Sequence, residues 1–382
     1  MLRLCVEKVP ADHTLRVAVL TTLAAQHFGE YEDLPYCKQL YEEARAAATN
    51  QGDQTLLAAV SIAEFHRFQR TWSFEERKTS LDQALELARY HGLLMLEIAT
   101  RRFRVVLALD AGDMTWAADE VQAIADIARM SPEPLHAMQA DVARIALTLL
   151  TGRLDQAEHD VSAALEKFQR FGPATLDQLG LQFALVARER GRLTEVEGML
   201  RWKLEGYPGP AYAGPLAAIL TSMGRYDEAT ALIGQYRKIA LTSGGEGVLR
   251  YITPAFFAEA VADLGDAQRA VWLYDALLPA DRRAISMFAG TSIYGSGSYY
   301  LGRLATVLGR YEVASEHLAA AHVHHQQMGA LPYRLRTLLA DVELATAQKL
   351  DPSSILDEAR ALAEDLGMQW LVDALVRRLN LG

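Results

Sequence analysis

One short phrase recurs along this chain and constrains its fold more than any other feature. It consists of a glycine, any residue, an apolar residue, two further residues and then a small one. It reads Gly112-Asp-Met114-Thr-Trp-Ala117, Gly152-Arg-Leu154-Asp-Gln-Ala157, Gly224-Arg-Tyr226-Asp-Glu-Ala229, Gly265-Asp-Ala267-Gln-Arg-Ala270 and Gly309-Arg-Tyr311-Glu-Val-Ala314. Looser copies stand at Gly191-Arg-Leu193-Thr-Glu-Val196 and Gly29-Glu-Tyr31-Glu-Asp-Leu34. The glycines at 112, 152, 191, 224, 265 and 309 are separated by 40, 39, 33, 41 and 44 residues. Self-similarity of this kind marks stacked repeats, in which each unit buries its apolar face only against its neighbours.

The gap from Gly29 to Gly112 spans two units. It places a turn without glycine near Thr71-Trp72-Ser73-Phe74, and a last turn falls near Lys349-Leu350-Asp351-Pro352. Each unit reads as two helices. In 309–328 the apolar residues Tyr311, Ala314, Leu318, Ala321 and Met328 recur at helical spacing. The glycine supplies the positive φ that closes the first helix, and the small residue five positions on lets the second approach it closely. The second helix then meets a breaker: Gly52, Gly92, Ser131-Pro132, Gly172-Pro173, Gly206-Tyr-Pro208, Gly244-Gly245, Pro279 or Gly329. No alternation of apolar and polar residues is long enough for a sheet. The expected architecture is all-α: a right-handed superhelical solenoid of helix hairpins, about nine units of ~40 residues, filling 1–382 as a single array. The Pro- and Gly-rich stretch Gly206-Tyr-Pro-Gly-Pro210-Ala-Tyr-Ala-Gly-Pro215 interrupts it and predicts a tight corner or a hinge near 204–215.

Hydrophobic residues make up 51% of the chain and charged ones 23%, which suits a well-packed helical protein. The net charge of −10 argues against duplex binding, where several phosphates must be neutralised by Lys or Arg. The densest basic run, Arg101-Arg102-Phe103-Arg104, reads as a solvated helix face. Cys5 and Cys37 form no disulfide framework or thiolate zinc site and read as buried small residues. The first ten residues lack a secretory apolar region, and no segment approaches eighteen uncharged apolar residues. These features predict a cytoplasmic chain that engages neither membrane nor nucleic acid directly.

Motifs of catalysis are missing from the sequence. Gly295-Ser-Gly297-Ser298 is not followed by the Gly-Lys-Ser/Thr of a phosphate-binding loop, and there is no dinucleotide fingerprint, nucleophile elbow or HExxH. Carboxylates such as Asp227-Glu228 open helices, where the helix dipole favours them. His317, His322, His324 and His325 cluster, and His322 and His325 share a helix face. With Gln326 and Gln327 beside them in place of acids, they read as a solvated face and not a metal site. The expectation is a non-enzyme without cofactor, metal or catalytic residues.

One segment stands apart: Thr291-Ser-Ile-Tyr-Gly295-Ser-Gly297-Ser-Tyr-Tyr300-Leu-Gly302-Arg303. It lies where the first helix of a unit should run, yet glycine inside a helix costs about 1 kcal/mol against alanine. On helical geometry Tyr294, Gly297, Leu301, Leu304 and Leu308 line one face, and Ser292, Ser296, Tyr299 and Arg303 another. Two readings stand: Gly297 admits close helix packing, or the second stripe faces a concave groove and holds a ligand. Arg303 lies six residues before its turn glycine. The same offset gives Glu259 in the preceding unit and Glu343 before Lys349, whereas earlier units carry Ala218, Leu185, Ala146 and Val106. The groove is therefore expected to be apolar in its middle and polar toward the C-terminal end. Its candidate ligand- or partner-binding residues are Ser292, Ser296, Tyr299, Arg303, Glu259 and Glu343. If they only bind, Arg303→Ala or Glu259→Ala should abolish stabilisation by a ligand and leave the ligand-free melting point nearly unchanged.

The chain resembles the C-terminal tetratricopeptide-like region of large bacterial signalling ATPases. These are regulators of the LuxR type, relatives of the maltose-regulon activator, and proteins with an adenylate cyclase domain followed by an AAA-like ATPase. The matching stretches are Glu75-Glu76-Arg77 with Leu81-Asp-Gln-Ala-Leu-Glu-Leu-Ala88; Gly295-Ser-Gly-Ser-Tyr-Tyr-Leu-Gly302 with Leu308-Gly-Arg-Tyr-Glu-Val-Ala-Ser-Glu-His-Leu318; Met328-Gly-Ala-Leu-Pro332; and Ala363-Glu-Asp-Leu-Gly-Met368. The resemblance implies a sensor and interaction array that binds an inducer or partner and restrains an ATPase neighbour. It assigns no catalytic residues. The sequence carries no nucleotide-binding, helix-turn-helix or cyclase domain, so the chain is expected to be either an excised fragment or a stand-alone scaffold that docks a protein partner. Expected partners are a protein or an adjacent ATPase domain and a small-molecule or peptide inducer. Apolar residues in the last helix, Trp370 to Leu379, leave room for a docked neighbour or a homodimer.

Overall fold

A computed structural model describes residues 8–10, 13, 15–26, 34–68, 72–206, 210–242, 251–287 and 289–381. Nineteen α-helices occur among the described residues. The N-terminal group is α1 (Leu15–Gln26), α2 (Leu34–Gln51), α3 (Gln54–Phe68) and α4 (Phe74–Tyr90). The middle group is α5 (Leu94–Asp110), α6 (Met114–Met130), α7 (Pro134–Leu150), α8 (Leu154–Phe168), α9 (Pro173–Glu189) and α10 (Leu193–Gly206). Next come α11 (Pro210–Ser222), α12 (Tyr226–Thr242), α13 (Ile252–Leu264) and α14 (Ala267–Leu277). Two short strands, β1 (Ala284–Met287) and β2 (Ser292–Ser296), precede α15 (Gly297–Val307), α16 (Tyr311–Gln327), α17 (Leu331–Ala347), α18 (Ser353–Leu366) and α19 (Gln369–Leu379). Consecutive helices pack against each other throughout, the arrangement of a helical-repeat solenoid.

The recurring phrase is a recurring helix terminus. At Gly112, φ is 69°, its N–H donates to the Leu109 carbonyl, and the Asp113 N–H donates to the Ala108 carbonyl. This pair of bonds is the Schellman motif, which satisfies two carbonyls left open at the helix end and needs a left-handed residue at its centre. The same two bonds recur at Gly152, Gly191, Gly224, Gly265 and Gly309. The small residue five positions on is fully buried in each of the five strict copies: Ala117, Ala157, Ala229, Ala270 and Ala314. Asp113 and Asp266 cap the next helix, accepting from the Trp116 and Arg269 N–H groups at 2.9 Å.

The two turns without glycine solve the same problem differently. Ser73 forms a capping box with Glu76, whose carboxylate accepts from the Ser73 N–H at 2.7 Å. Lys349 takes φ 60° itself. Residues 29–33 of the copy at Gly29–Leu34 and the breaker Gly244-Gly245 lie outside the described residues, as do Thr71 and Cys5; Leu34 opens α2. Cys37 is buried, its thiol donating to the Ala24 carbonyl at 3.7 Å. Of the interruption near 206–215, 207–209 lie outside the described residues; α10 ends at Gly206, α11 opens with Pro210 and Pro215 sits within it.

The first helices of successive units pack on one another, α5 on α7 on α9 and α11 on α13 on α15 on α17 on α19. Leu181, Leu185, Tyr212 and Phe256 border a small apolar crevice between α9, α11 and α13. The largest core runs from Val105 to Leu375, and a separate cluster unites α1, α2 and α3.

Two features depart from a purely helical, open array. The segment expected to begin a helix at Thr291 is instead the second strand of an antiparallel hairpin, with Ser286 opposite Ile293 and Met287 opposite Ser292. Ala289 and Gly290 supply the two positive φ values of its turn. The register slips by one before Ala284 meets Ser296, and Gly295, φ 72°, lies in that slip, where a Cβ would collide with the Tyr333 ring. The helix begins only at Gly297, after Ser296 caps it by accepting from the Ser298 N–H at 3.3 Å, and any side chain at 297 would overlap the Ala280 carbonyl oxygen. Of the two readings of this segment, close packing accounts for Gly297.

The second departure is long-range closure. Gly191 faces the Trp370 ring, Gly152 faces Leu331 and Leu366, and Gly112 faces Gln327. Turns of the middle units thus abut the last helices, and the Trp370 indole N–H donates to the Glu189 carbonyl at 2.8 Å. The array coils back onto itself, so part of the apolar surface of α19 is covered from within the chain.

Candidate functional site

The hairpin occupies the inner face that the sequence left as an open groove. β2 packs on α7, α9, α15 and α16, and β1 on α5 and α13. Val106 touches the hairpin tip at Gly290, and Leu185 shares a crevice with Met287 and Tyr294. The hairpin packs on these apolar positions of the middle units. Polar groups on three first helices secure the tip. Arg102 on α5 donates to the Thr291 hydroxyl, to Gln178 Oε1 at 2.9 Å and to Gln139 Oε1. Gln182 on α9 donates to the Thr291 and Val142 carbonyls, each at 2.7 Å. Burial pulls the Arg102 guanidinium down to about 10.

Arg102 therefore corrects the reading of 101–104 as a solvated face. Its neighbours are also engaged: Arg101 bridges Glu97 and Glu120, and Arg104 bridges Glu120 and Asp82. The solvated reading of the histidines fails for the same reason, that partners arrive from distant helices. His324 and His325 are buried. Ser296 is held between them, its N–H donating to His325 Nε2 at 2.8 Å and its hydroxyl 3.0 Å from His324 Nδ1. His322 pairs with Asp341 at 2.5 Å, and His317 lies 3.2 Å from Asp281. Among the described residues no three His, Cys, Asp or Glu side chains are grouped to hold a metal ion.

The six candidate residues separate into two sets. Ser292 and Ser296 are buried in β2 and share no helix face with Tyr299 and Arg303, which corrects the four-residue stripe. Tyr299, Arg303, Glu259 and Glu343 do converge, on one cavity of about 330 Å³. It lies among the C-terminal ends of α9, α11 and α13, the helices α15 and α17, and the last helix α19. The volume falls within the roughly 300–1,000 Å³ of small-molecule sites.

Its walls are charged in an ordered way. Arg303 donates to both Glu343 oxygens, from Nε at 2.8 Å and Nη2 at 2.6 Å, and from Nη2 to Asp263 at 2.8 Å. Arg378 from α19 closes the square, 3.2 Å from Asp263 and bonded to Glu343. Deeper, Arg188 meets Glu259 at 2.5 Å, and Arg336 grips both oxygens of Glu189 at 2.9 and 3.0 Å. Burial raises the Asp263 and Glu343 carboxyls, but Arg303 and Arg378 outweigh it and hold both below their ordinary values. Burial likewise opposes charge on Arg303, yet Glu343 and its neighbours keep it well above the usual range. The Tyr299 hydroxyl is pushed up to about 12 by burial. The cavity thus presents fixed charges and a protonated phenol, suited to recognition by hydrogen bonds.

Three buried atoms of this wall lack a partner among the described residues: Arg188 Nη1, Arg336 Nε and Glu259 Oε1. Unmade bonds of buried polar groups cost on the order of 1–3 kcal/mol each. One cavity residue is linked to the hairpin through Phe256: the Arg188 guanidinium lies 5.1 Å over the Phe256 ring, which packs edge-on against Tyr294 at 5.0 Å.

The buried ion pairs argue against one expectation. Replacing Arg303 or Glu259 by alanine would strand an opposite charge in the interior, so the ligand-free protein would lose stability. Arg188, Asp263, Arg336 and Arg378 were not singled out from sequence. A signal was present for the acids. Two residues before the turn glycine stand Asp110, Glu189 and Asp263, and each pairs with an arginine of another unit.

No protein-family model matches the chain, and no curated protein matches it. No helix among the described residues is long and apolar enough to cross a membrane.

Proposed function

We propose that this chain is a recognition module: a right-handed, tetratricopeptide-like solenoid of nine helix hairpins whose polar cavity binds a small ligand. We read it as the sensor and interaction domain of a bacterial transcriptional or signalling ATPase, working in the cytoplasm and coupling occupancy of the cavity to a neighbouring domain. The observation that carries the reading is the cavity itself, where Tyr299, Arg303, Glu259 and Glu343 meet between buried ion pairs. The family reading draws on the resemblance in the repeat and its closing segments. The alternative, a stand-alone scaffold docking an extended protein segment, is less favoured because the hairpin 284–296 already fills the inner face such a segment would use.

A thermal-shift screen of metabolites tests it. A ligand of the cavity stabilises by mass action, about 2.7 kcal/mol at a hundredfold excess over its dissociation constant. Tyr299→Phe keeps the ring and the buried ion pairs while removing the hydroxyl, so it should weaken the shift and leave the ligand-free melting point close to the parent's. Hits that bind Tyr299→Phe, Glu259→Gln and the parent alike would place recognition elsewhere.

A further inference from the structure

We propose that the ligand of the cavity is a small carboxylic acid bound as its anion, one carboxylate on an apolar body. The inference rests on the reading of the cavity as a binding site and adds the class of molecule. Its first support is the hydrogen-bonding capacity left open in the wall. Arg303 donates through Nε and Nη2, and Arg336 through Nη2, so the Nη1 group of each makes no hydrogen bond among the described residues. The Tyr299 hydroxyl makes none either, and burial keeps it protonated, hence a donor. Unlike Arg188 Nη1 and Arg336 Nε, these three groups are not sealed into the wall, and all three residues line the cavity. The acids offer no counterpart. Both Glu343 oxygens accept from Arg303, and Asp263 accepts from Arg303 and Thr221. Glu259 has one oxygen on Arg188 and the other sealed. The groups of this wall left open without a bond are therefore donors, and an acceptor carrying negative charge suits them.

Charge points the same way. The lining holds five arginines, Arg377 with the four described above, against three carboxylates, Glu259, Asp263 and Glu343. Glu189 stands behind Arg336, outside the lining, and neutralises it, which leaves an excess of one positive charge. Arg377 carries that excess: it sits in the last turn of α19, exposed and without an ion pair among the described residues. A single carboxylate balances it, whereas an ammonium would add to it. α11 ends at the same cavity with Ser222, and the negative partial charge of a helix C-terminus keeps an anion on the arginine side. Leu339, Leu371 and Leu375 also line the cavity and offer contact to an apolar body.

The experiment is calorimetric titration of the intact chain with butyrate, isovalerate, hexanoate, benzoate, phenylacetate and indoleacetate. For each binder, the carboxamide and the amine of the same body are titrated as matched controls, with inorganic phosphate beside them. The expected result is at least one carboxylate that binds, with affinity lower by more than about tenfold in the carboxamide and no binding of the amine. Tyr299→Phe should weaken the carboxylate by about tenfold, and Arg377→Gln, which breaks no ion pair of the fold, by about two- to fivefold. Equal binding of the carboxamide or amine, or binding of phosphate instead, overturns the carboxylic acid while leaving the cavity as the site. Silence of the panel overturns it too: if the metabolite screen finds another cavity ligand the site stands, and if that screen is also silent both readings fall. Carboxylate binding unchanged in both Tyr299→Phe and Arg377→Gln overturns the assignment to this cavity. Because the matched controls are run on the parent chain, the ligand class is decided even if a variant fails to fold.

Discussion

Arg102 reaches across the molecule to Thr291: its Nη2 donates to the threonine hydroxyl at 2.5 Å, although the two residues lie 189 positions apart. The bond joins the inner face of a middle unit to a hairpin inserted before a late one. Thr291→Val keeps the shape and removes the acceptor from a buried guanidinium. A loss of about 1.5–3 kcal/mol is expected. Urea unfolding of the two proteins checks it, and a change within about 0.5 kcal/mol would mean the tip is held by the Gln182 bonds and packing alone.

Glycines of this chain should respond to alanine in opposite directions. At Gly297 a Cβ overlaps the Ala280 carbonyl oxygen, so Gly297→Ala should cost several kcal/mol or prevent folding. At Gly198, in the exposed middle of α10, nothing lies within 4 Å of the added carbon. There the substitution should stabilise by about 0.5–1 kcal/mol through helix propensity. Paired thermal denaturation decides both.

The square formed by Arg303, Arg378, Asp263 and Glu343 predicts strong coupling. Arg303→Met leaves two buried carboxylates to one arginine and should cost about 3–5 kcal/mol. Glu343→Leu leaves the opposite excess. The double variant keeps Arg378 facing Asp263, 3.2 Å apart, and restores the balance of charge. Its loss should fall short of the sum of the single losses by about 1–3 kcal/mol in a double-mutant cycle. Simple additivity would mean the square does not act as a unit.

Stability should decline on mild acidification, and His325 identifies the cause. Burial first, then His324 and His322, holds its imidazole well below the ordinary value of 6.5. The unfolded chain therefore binds a proton near pH 6.5 that the folded chain refuses, and stability present above that pH is lost as pH falls. The slope contributed is at most about 1.4 kcal/mol per pH unit. Asp263 and Glu343, both held low, add their own loss only below about pH 4.5, the upper end of ordinary carboxyl values. Between pH 6.5 and 5 the profile of His325→Gln should be flatter than the parent's; parallel profiles would exclude His325 as the source.

The helical framework was legible because its signals are local. A glycine at a Schellman terminus and a buried alanine five residues on lie within one phrase, and both follow from backbone geometry at that point. The six-residue offset also picked out Glu259, Arg303 and Glu343, which line one cavity, since a solenoid repeats positions as well as helices. The hairpin was missed because each strand is shorter than six residues and owes its form to Arg102, Gln182, His324 and His325, none within 25 positions of the atoms they hold. Charge was misjudged at Arg102 and His325 for the same reason: solvated and buried faces look alike when the covering group is remote in sequence. Arg188 and Arg336 sit at no shared offset, and nothing in the repeat pointed to them.

Trp370 has a consequence that reaches beyond its own helix. Ordinary solenoids grow or shrink by whole units, and each segment matures beside its neighbours alone. Here the indole closes on Gly191 and Glu189, so the last helix must find the middle of the array before the C-terminal half is complete. Such high contact order slows folding, and it makes the number of units as fixed as the number of staves in a barrel.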